Sequence, residues 1–460
     1  MNQFYNPIFL SKVLKTYLSN IDRLKKFDDE SLRKYQNKHL KKMVEFAYSV
    51  PVYHDKYKKS NVHPNDIRGI QDIKKLPEIS KDDIKKYYPD GVVSSKSNRK
   101  QLIEVTTSGT TGKTLSIYVD MFDIVMGLFG YLRTIKEYGI NWRKTQMTII
   151  GDFAPHTAES GYIRRGLQPR LNVNTLFKNI QWLNTNDEPK QLIEKINRFK
   201  PEFIGGYVGM LGHLALLKEK GLGKNIAPKY IAATGSVLDK SLREFIERTF
   251  DAYLFEVYGA TETGPIAFQC KEGSYHIMSD LLYLEFLKNN QPVNSGEAGR
   301  LVVTKLYGGG TPIIRYNAIN DIVAPRFKKC SCEISGDLIE RIYGRDDLAI
   351  FLPGGRVLLA SSFSEIYSKI LYELKTNKLK DTKIIQHSLS KIEIQVVIDE
   401  KLRNEGVSIQ EIFSLLESSF QKKVGPQVEI IVREVKGIDK KGPRIISKIN
   451  RNKFKIREYV

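Results

Sequence analysis

Between residues 101 and 235 the chain alternates short apolar runs with amphipathic helical stretches, and this alternation limits the fold more than any other feature. QMTIIGD, EFIGGYV and YIAATG have the length and β-branched character of buried strands. Residues 121 to about 138, EPKQLIEKINRF and MLGHLALLKEK have helical spacing and lie between them. Strands separated by helices are joined by crossovers, which predicts an α/β core with a largely parallel sheet. QLIEVTTS and TLSIYVD read instead as two strands joined by a loop. After Tyr258 the pattern becomes antiparallel, with YLEFL and GRLVVTKL leading to the loop RYNAIND. The first 90 or so residues read as helices; Leu40, Met43, Val44 and Ala47 share one helical face and Pro51 stops that helix. From residue 347 a helix, two strands, a second helix and a further strand predict a small α+β unit.

At 460 residues, with 41% hydrophobic, 27% charged and 10% aromatic side chains, the chain is a globular protein of two or three domains rather than a disordered or disulfide-stapled one. No stretch has the length and apolarity of a membrane span, and MNQFYNPIFLSKVLK lacks the ordered regions of a signal peptide, so a cytoplasmic protein is expected. The net charge of +21 raises the question of a nucleic-acid partner. Most of the basic residues are interleaved with acids, and only residues 441 to 460 are clearly one-sided, with seven basic side chains against Glu458. No zinc-finger spacing, RNP motif or basic zipper is present. A basic surface that attracts phosphate-bearing small molecules fits better than specific nucleic-acid binding.

Two loops carry phosphate chemistry. In T-S-G-T-T-G-K the hydroxyls of Thr107, Ser108, Thr110 and Thr111, the backbone at Gly109 and Gly112, and the Lys113 ammonium suit a polyphosphate. The glycine spacing and the strand that follows rule out a Walker A loop, and a plain Ser/Thr/Gly hairpin is the rival reading. In Y-G-A-T-E-T-G, Tyr258 can stack on a base, Thr261 can donate to a phosphate, and Glu262 can hold magnesium; the alternative is a simple strand-end turn. All three cysteines lie in one segment. Cys270, His276, Cys330 and Cys332 supply the three thiolates and one imidazole of a closed structural zinc site, against an alternative of buried thiols and an ordinary histidine.

These loops occur in a telling order. T-S-G-T-T-G-K, Y-G-A-T-E, G-R-L-V-V-T at 299 to 304, R-Y followed by Asp321, and G-R-D-D at 344 to 347 follow the sequence of motifs in the adenylate-forming enzymes, and the chain most resembles their phenylacetate-CoA ligase, CapK-like and coenzyme F390 synthetase branch over roughly residues 30 to 455. The resemblance implies a large α/β N-terminal domain, residues 1–346, with parallel-sheet layers and a smaller β subdomain, and a mobile α+β lid, residues 347–460. It also implies AMP-forming activation of a small carboxylic acid by ATP with Mg2+, followed by transfer of the acyl group to coenzyme A. Transfer to an amine or sugar, or of AMP itself, stands as the alternative within the superfamily, and a basic nucleic-acid-binding protein as the rival outside it; a homodimer is left open.

Carried over residue by residue, Thr107 to Lys113 hold the leaving phosphates, and Ser236 and Val237 line the adenine. Tyr258 and Gly259 flank base and acyl pocket, Thr261 touches the α-phosphate, Glu262 binds magnesium, and Asp321 takes the ribose hydroxyls with Arg345 nearby. Asp347 is the hinge, and Lys441, or its neighbour Lys440, is the adenylation lysine. Tyr207, Phe153 and His156 are positional candidates for the acyl pocket. The chain departs from the family in R-Y-N-A-I-N-D, where R-Y-R-T-G-D is usual, which drops the glycine and the second arginine.

Overall fold

The hairpin expected around the hydroxyl-rich loop is formed by β1 (Ile103–Thr106) and β2 (Ser116–Val119), paired antiparallel. The computed structural model describes residues 3–107, 114–155, 157–171, 177–439, 443–451, 454, 456, 458 and 459. Thr107 closes the hairpin: its N–H donates to the Leu115 carbonyl at 2.8 Å and its Oγ1 accepts the Leu115 N–H at 2.9 Å. The helix Met121–Glu137 follows, started by an Asp120/Asp123 capping box.

Strands β3 (Met147–Gly151), β4 (Ile180–Asn184), β5 (Phe203–Tyr207), β6 (Tyr230–Thr234) and β7 (Tyr253–Ala260) form the parallel part of the sheet, in the order β4-β3-β5-β6-β7. Helices Pro189–Phe199, Val208–Glu219 and Lys240–Phe250 cross between them and bury Leu192, Leu211 and Phe245 against Ile150, Ile204 and Leu254. Beyond β7 the same sheet continues antiparallel through β8 (Gly264–Gln269), β9 (Tyr275–Ile277), β10 (Leu282–Lys288), β11 (Gln291–Pro292), β12 (Gly299–Lys305), β13 (Asp321–Arg326) and β14 (Leu338–Arg345). The parallel and antiparallel parts share one twelve-stranded sheet. β4, β8, β9, β13, β14 and the helix Lys240–Phe250 are elements that sequence reading did not assign.

The N-terminal helices cover the antiparallel half. Helix Asp29–Tyr48 buries Leu40, Met43, Val44 and Ala47 as its spacing predicts, and Pro51 both ends that segment and opens the next helix, Pro51–Lys59, at its first turn. A buried charge cluster fastens this layer. Asp280 receives Arg133 Nη1 at 2.8 Å and Nη2 at 2.7 Å, and Arg23 Nη1 at 3.0 Å. Against the upward push of burial, Arg133 and then Arg23 hold the Asp280 carboxyl below its usual range.

The C-terminal residues build a four-stranded sheet and the helices Ser361–Tyr372 and Ile409–Val424 around a core of their own, with Phe363, Ile394, Leu416 and Phe420 buried. Leu371 of the first helix packs over Gly212, and Lys375 pairs with Glu219. No helix among the described residues is long and apolar enough to cross a membrane.

Candidate active site

The carboxyl ends of β3, β5, β6 and β7 open on one side of the sheet, where ligands bind in folds of this class. There Y-G-A-T-E-T-G forms the hairpin between β7 and β8, with Ala260 paired to Gly264 and a bulge at Tyr258/Gly259. Gly259 permits the tight return, since a Cβ on it would lie 2.9 Å from the Gly264 carbonyl oxygen. Thr261 is half-buried, and its carbonyl accepts the Tyr162 hydroxyl at 3.1 Å. Glu262 is buried at the tip, and its Oε1 accepts the Tyr316 hydroxyl at 3.1 Å. Burial pushes the Glu262 carboxyl up, opposed by its own backbone N–H, by Tyr316 and by the charges of Lys81 and Arg345.

Tyr258 donates its hydroxyl to Asp321 Oδ2. Asp321 opens β13, directly opposite Arg345 on β14. Burial pushes its carboxyl up to about 6, with Tyr258 and Arg345 pulling the other way. The Arg345 guanidinium grips Asp347, Nε to Oδ1 at 2.9 Å and Nη2 to Oδ2 at 2.7 Å, and Asn320 Nδ2 donates to Asp347 Oδ2 at 3.2 Å. Asp346 pairs with Arg451 of the C-terminal tail. In the loop R-Y-N-A-I-N-D, Asn320 takes φ +63°, the left-handed conformation that asparagine tolerates, immediately before Asp321. Arg315 is structural, its guanidinium bound by both oxygens of Glu285 at 2.9 and 3.0 Å.

Ser236, exposed, and Val237, half-buried, follow β6 in the turn that begins at Gly235, φ +86°. The Tyr207 ring lies so close over Gly235 that no Cβ fits there. The structure thus gathers Ser236, Val237, Tyr258, Gly259, Thr261, Glu262, Asp321 and Arg345 at the sheet's carboxyl edge, with Asp347 beside Arg345 and Thr107 at the mouth of the β1–β2 hairpin. Ser108, Gly109, Thr110, Thr111, Gly112, Lys113, His156, Lys440 and Lys441 lie outside the described residues. One cation at the site was not foreseen. Lys81 starts the helix Lys81–Tyr87, whose entry strand is tied to the site loop by Ile79 N–H to Arg315 O at 3.0 Å and Asn317 N–H to Ile79 O at 3.1 Å. Burial draws the Lys81 ammonium below its usual range while Glu262 opposes that shift.

The four sulfur and nitrogen candidates converge. One ligand atom from each of Cys270, His276, Cys330 and Cys332 lies within 4.8 Å of the others. Cys270 Sγ and Cys330 Sγ are 3.8 Å apart, and Cys332 Sγ is 3.1 Å from His276 Nε2. Zinc–thiolate bonds of about 2.3 Å in a tetrahedron put sulfurs about 3.8 Å apart, so the donor set fits that ion. Burial lowers the His276 imidazole to about 4, which leaves it neutral. Against the upward push of burial, hydrogen bonds from the Cys332 backbone and Ser274 bring the Cys330 thiol down to about 7. The cluster does not adjoin Glu262 and Asp321. Glu262 and Cys270 stand at opposite ends of β8, whose six residues span about 20 Å, and Asp321 opens β13 while Cys330 follows its other end. The four residues therefore stand at the ends of β8 and β13 remote from Glu262 and Asp321.

No family model matches the chain. Protein CapK of Staphylococcus aureus is 26% identical over 337 residues, which cover 72% of this chain and 72% of that protein. The phenylacetate-coenzyme A ligase of Escherichia coli is 24% identical over 380 residues, covering 78% of this chain and 82% of that one. Among solved structures, 2-hydroxyisobutyryl-CoA ligase in its postadenylation state, in complex with R3-HIB-AMP, superposes with a TM-score of 0.69 at 17% identity, covering 93% of this chain and 89% of that one. The resemblance to the adenylate-forming enzymes holds. The shared architecture extends over both the large sheet and the C-terminal α+β unit, since the superposition leaves little of either chain out. The TM-score is 0.63 against that ligase in its thioesterification state and 0.59 against its open conformation.

Proposed function

We propose that this chain is an AMP-forming acid–CoA ligase: a carboxylate attacks the α-phosphate of ATP, pyrophosphate leaves, and the acyl-adenylate passes its acyl group to the thiol of coenzyme A. The observation that carries the proposal is the meeting of Tyr258, Glu262, Asp321 and Arg345, drawn from three separate motifs, at the carboxyl edge of a sheet with the fold of a CoA ligase. Relatives that are phenylacetate-coenzyme A ligases support the same reading.

In this scheme the ribose hydroxyls donate to the Asp321 carboxylate, and Tyr258 and Gly259 bound the base on the side facing Ser236 and Val237. Thr261 donates to the α-phosphate. The Thr107–Lys113 loop and Lys81 offset the charge of the departing pyrophosphate, an effect that a desolvated site magnifies. Glu262 would hold Mg2+, which would supply positive charge against the phosphates. Lys441 would bring its charge between carboxylate and α-phosphate when the lid, residues 347–460, turns about Asp347. That the 2-hydroxyisobutyryl-CoA ligase is solved in postadenylation, open and thioesterification states supports a lid that moves. The Cys/His cluster would hold one structural zinc, its four protein ligands leaving no open position for water.

The test is pyrophosphate release from ATP across a panel of aryl, aliphatic and hydroxy acids, with and without CoA. Acid-dependent release that becomes catalytic with CoA supports the ligase. Release unaffected by CoA but raised by amines or sugars would move the acceptor elsewhere, and no acid-dependent release would overturn the proposal.

A further inference from the structure

Phenols gather against the β7–β8 hairpin, near a gap in the packing at Gly127. Gly127, on the helix Met121–Glu137, is buried, yet no heavy atom lies within 4 Å of where its Cβ would stand. The Gly127 Cα is in turn 3.9 Å from the Cβ position of Gly264, which closes the hairpin. One helical turn later Tyr131 is 44% exposed although Leu132, Arg133 and Thr134 beside it are buried. Two further phenols fasten to the hairpin itself, Tyr162 to the Thr261 carbonyl at 3.1 Å and Tyr307 to the Thr263 carbonyl at 3.3 Å.

The far wall is ionisable. Glu159 follows β3 and accepts the hydroxyl of Tyr207, which ends β5 and rests on Gly235 beside Ser236 and Val237. Glu159 Cγ lies 3.5 Å from where a Cβ on Gly151 would stand, which puts it with Tyr207 at the carboxyl ends of β3 and β5, and its charge acts on Tyr131 as well as on Tyr207. Burial pushes the Glu159 carboxyl up, with Asp152 adding to the push and the Tyr207 hydrogen bond opposing it. Pockets for plain aryl or alkyl acids are lined mainly by apolar side chains. An apolar substrate here would desolvate the Glu159 carboxylate without giving it a partner beyond Tyr207, a penalty that polar sites use to reject analogues lacking a donor.

Resting on the ligase reading, we propose that the activated acid is a small polar one bearing a hydrogen-bond donor, a hydroxyl or an ammonium group, on its carbon chain, and that Glu159, positioned by Tyr207, selects it. The carboxyl end of such an acid would face the Thr261 turn, and its donor would reach Glu159 across the space beside Gly127.

Matched acids of similar size test this: lactate and 3-aminopropionate against propionate, and mandelate against phenylacetate, with kcat and KM read from pyrophosphate release. The expected result is a kcat/KM preference of about 10²-fold or more for at least one donor-bearing member over its partner. E159L should abolish that preference, chiefly through KM, with release from the apolar partner retained, and E159Q should keep a hydroxy acid while losing an amino acid. Y207F removes only the hydroxyl that orients Glu159 and should reduce the preference without loss of thermal stability, which keeps the test valid if E159L fails to fold. Equal or better turnover of the apolar partners by the unmodified protein, or an unchanged preference in Y207F, would overturn the inference while leaving the ligase standing. Absence of ATP binding and of acid-dependent pyrophosphate release throughout would overturn the ligase reading and this inference with it.

Discussion

Asp321 and Arg345 face each other across the β13–β14 ladder, yet the arginine gives its two-pronged grip to Asp347 and the aspartate takes its hydrogen bond from Tyr258. The carboxylate assigned to the ribose is therefore held by a phenol that donates, not neutralised by a salt bridge, and its affinity for protons remains high.

A pH dependence follows. The Asp321 carboxyl stands at about 6 because burial disfavours its charge. Above that pH it is ionised and can accept ribose hydroxyls; below it, protonation removes an acceptor, so nucleotide affinity should fall as pH drops from 7 to 5. Y258F deletes a hydrogen bond that favours the ionised form, so the midpoint should move upward. Calorimetric titration of ATP across that range checks both, and an affinity flat from pH 5 to 7 would remove Asp321 from the ribose role.

E262Q separates charge from packing. The side chain keeps its size and can keep the Tyr316 hydrogen bond, while burial already disfavours the charged form in the fold. Pyrophosphate release should fall by about 10²-fold or more, with melting temperature held or raised. Normal release at saturating magnesium would show that another group holds the metal.

Asp280 tests the N-terminal layer rather than the chemistry. D280N leaves Arg23 and Arg133 buried around a neutral group, a change that costs about 3–5 kcal/mol when one partner of a buried pair is removed. The Asp280 carboxyl is held low, so its contribution is present above the usual aspartate range and is lost as pH falls through its folded value. Urea denaturation of the two proteins at pH 7 reads the difference directly.

Much of the architecture was legible because local signals agreed with the long-range fold. The apolar periodicity gave the helix Met121–Glu137 to within a residue, and Leu115, Ile117 and Val119 alternate as β2 requires. Lys81 was not legible, because its place depends on Ile79 bonding to residues 315 and 317, a pairing that no local pattern encodes. Glu159 was hidden similarly, since only the sheet order brings the ends of β3 and β5 together. The loss of glycine before Asp321 was legible in the sequence, but not that Asn320 there takes the left-handed backbone region. The Cys/His set was found by chemistry, but closeness in sequence to the motif loops stood in for closeness in space, and β8 and β13 separate the two by their full lengths.

The hinge prediction uses the Arg345–Asp347 contact as its control. D347A removes the ion pair, which is half-exposed and worth at most about 1 kcal/mol, but leaves the backbone free. D347P also restricts φ where the lid is proposed to turn. Single-turnover measurements should show D347A slowing neither step severely and D347P slowing thioester formation more than adenylate formation. Equal loss of both steps in D347P, with a lowered melting temperature, would indicate misfolding in place of an impaired hinge.

The Cys/His clasp joins the β8–β9 turn to the loop between β13 and β14, and that loop also touches the N-terminal layer through Ser335 N–H to Leu24 O at 2.9 Å. A metal there would link two stretches of chain distant in sequence, so its removal should loosen the antiparallel end of the sheet. About one zinc per chain is expected in protein purified without chelators, four ligands being a full set. C332S should lower both zinc content and melting temperature. Because β8 places the cluster about 20 Å from Glu262, the affinity of the folded variant for ATP should stay within about threefold of the parent, in keeping with additivity at distant sites. Metal analysis together with calorimetry decides the matter: a zinc-free parent whose melting is unaffected by C332S would make these residues buried thiols beside a neutral histidine, and a C332S variant that melts normally but no longer binds ATP would show that the clasp acts on the nucleotide loops after all.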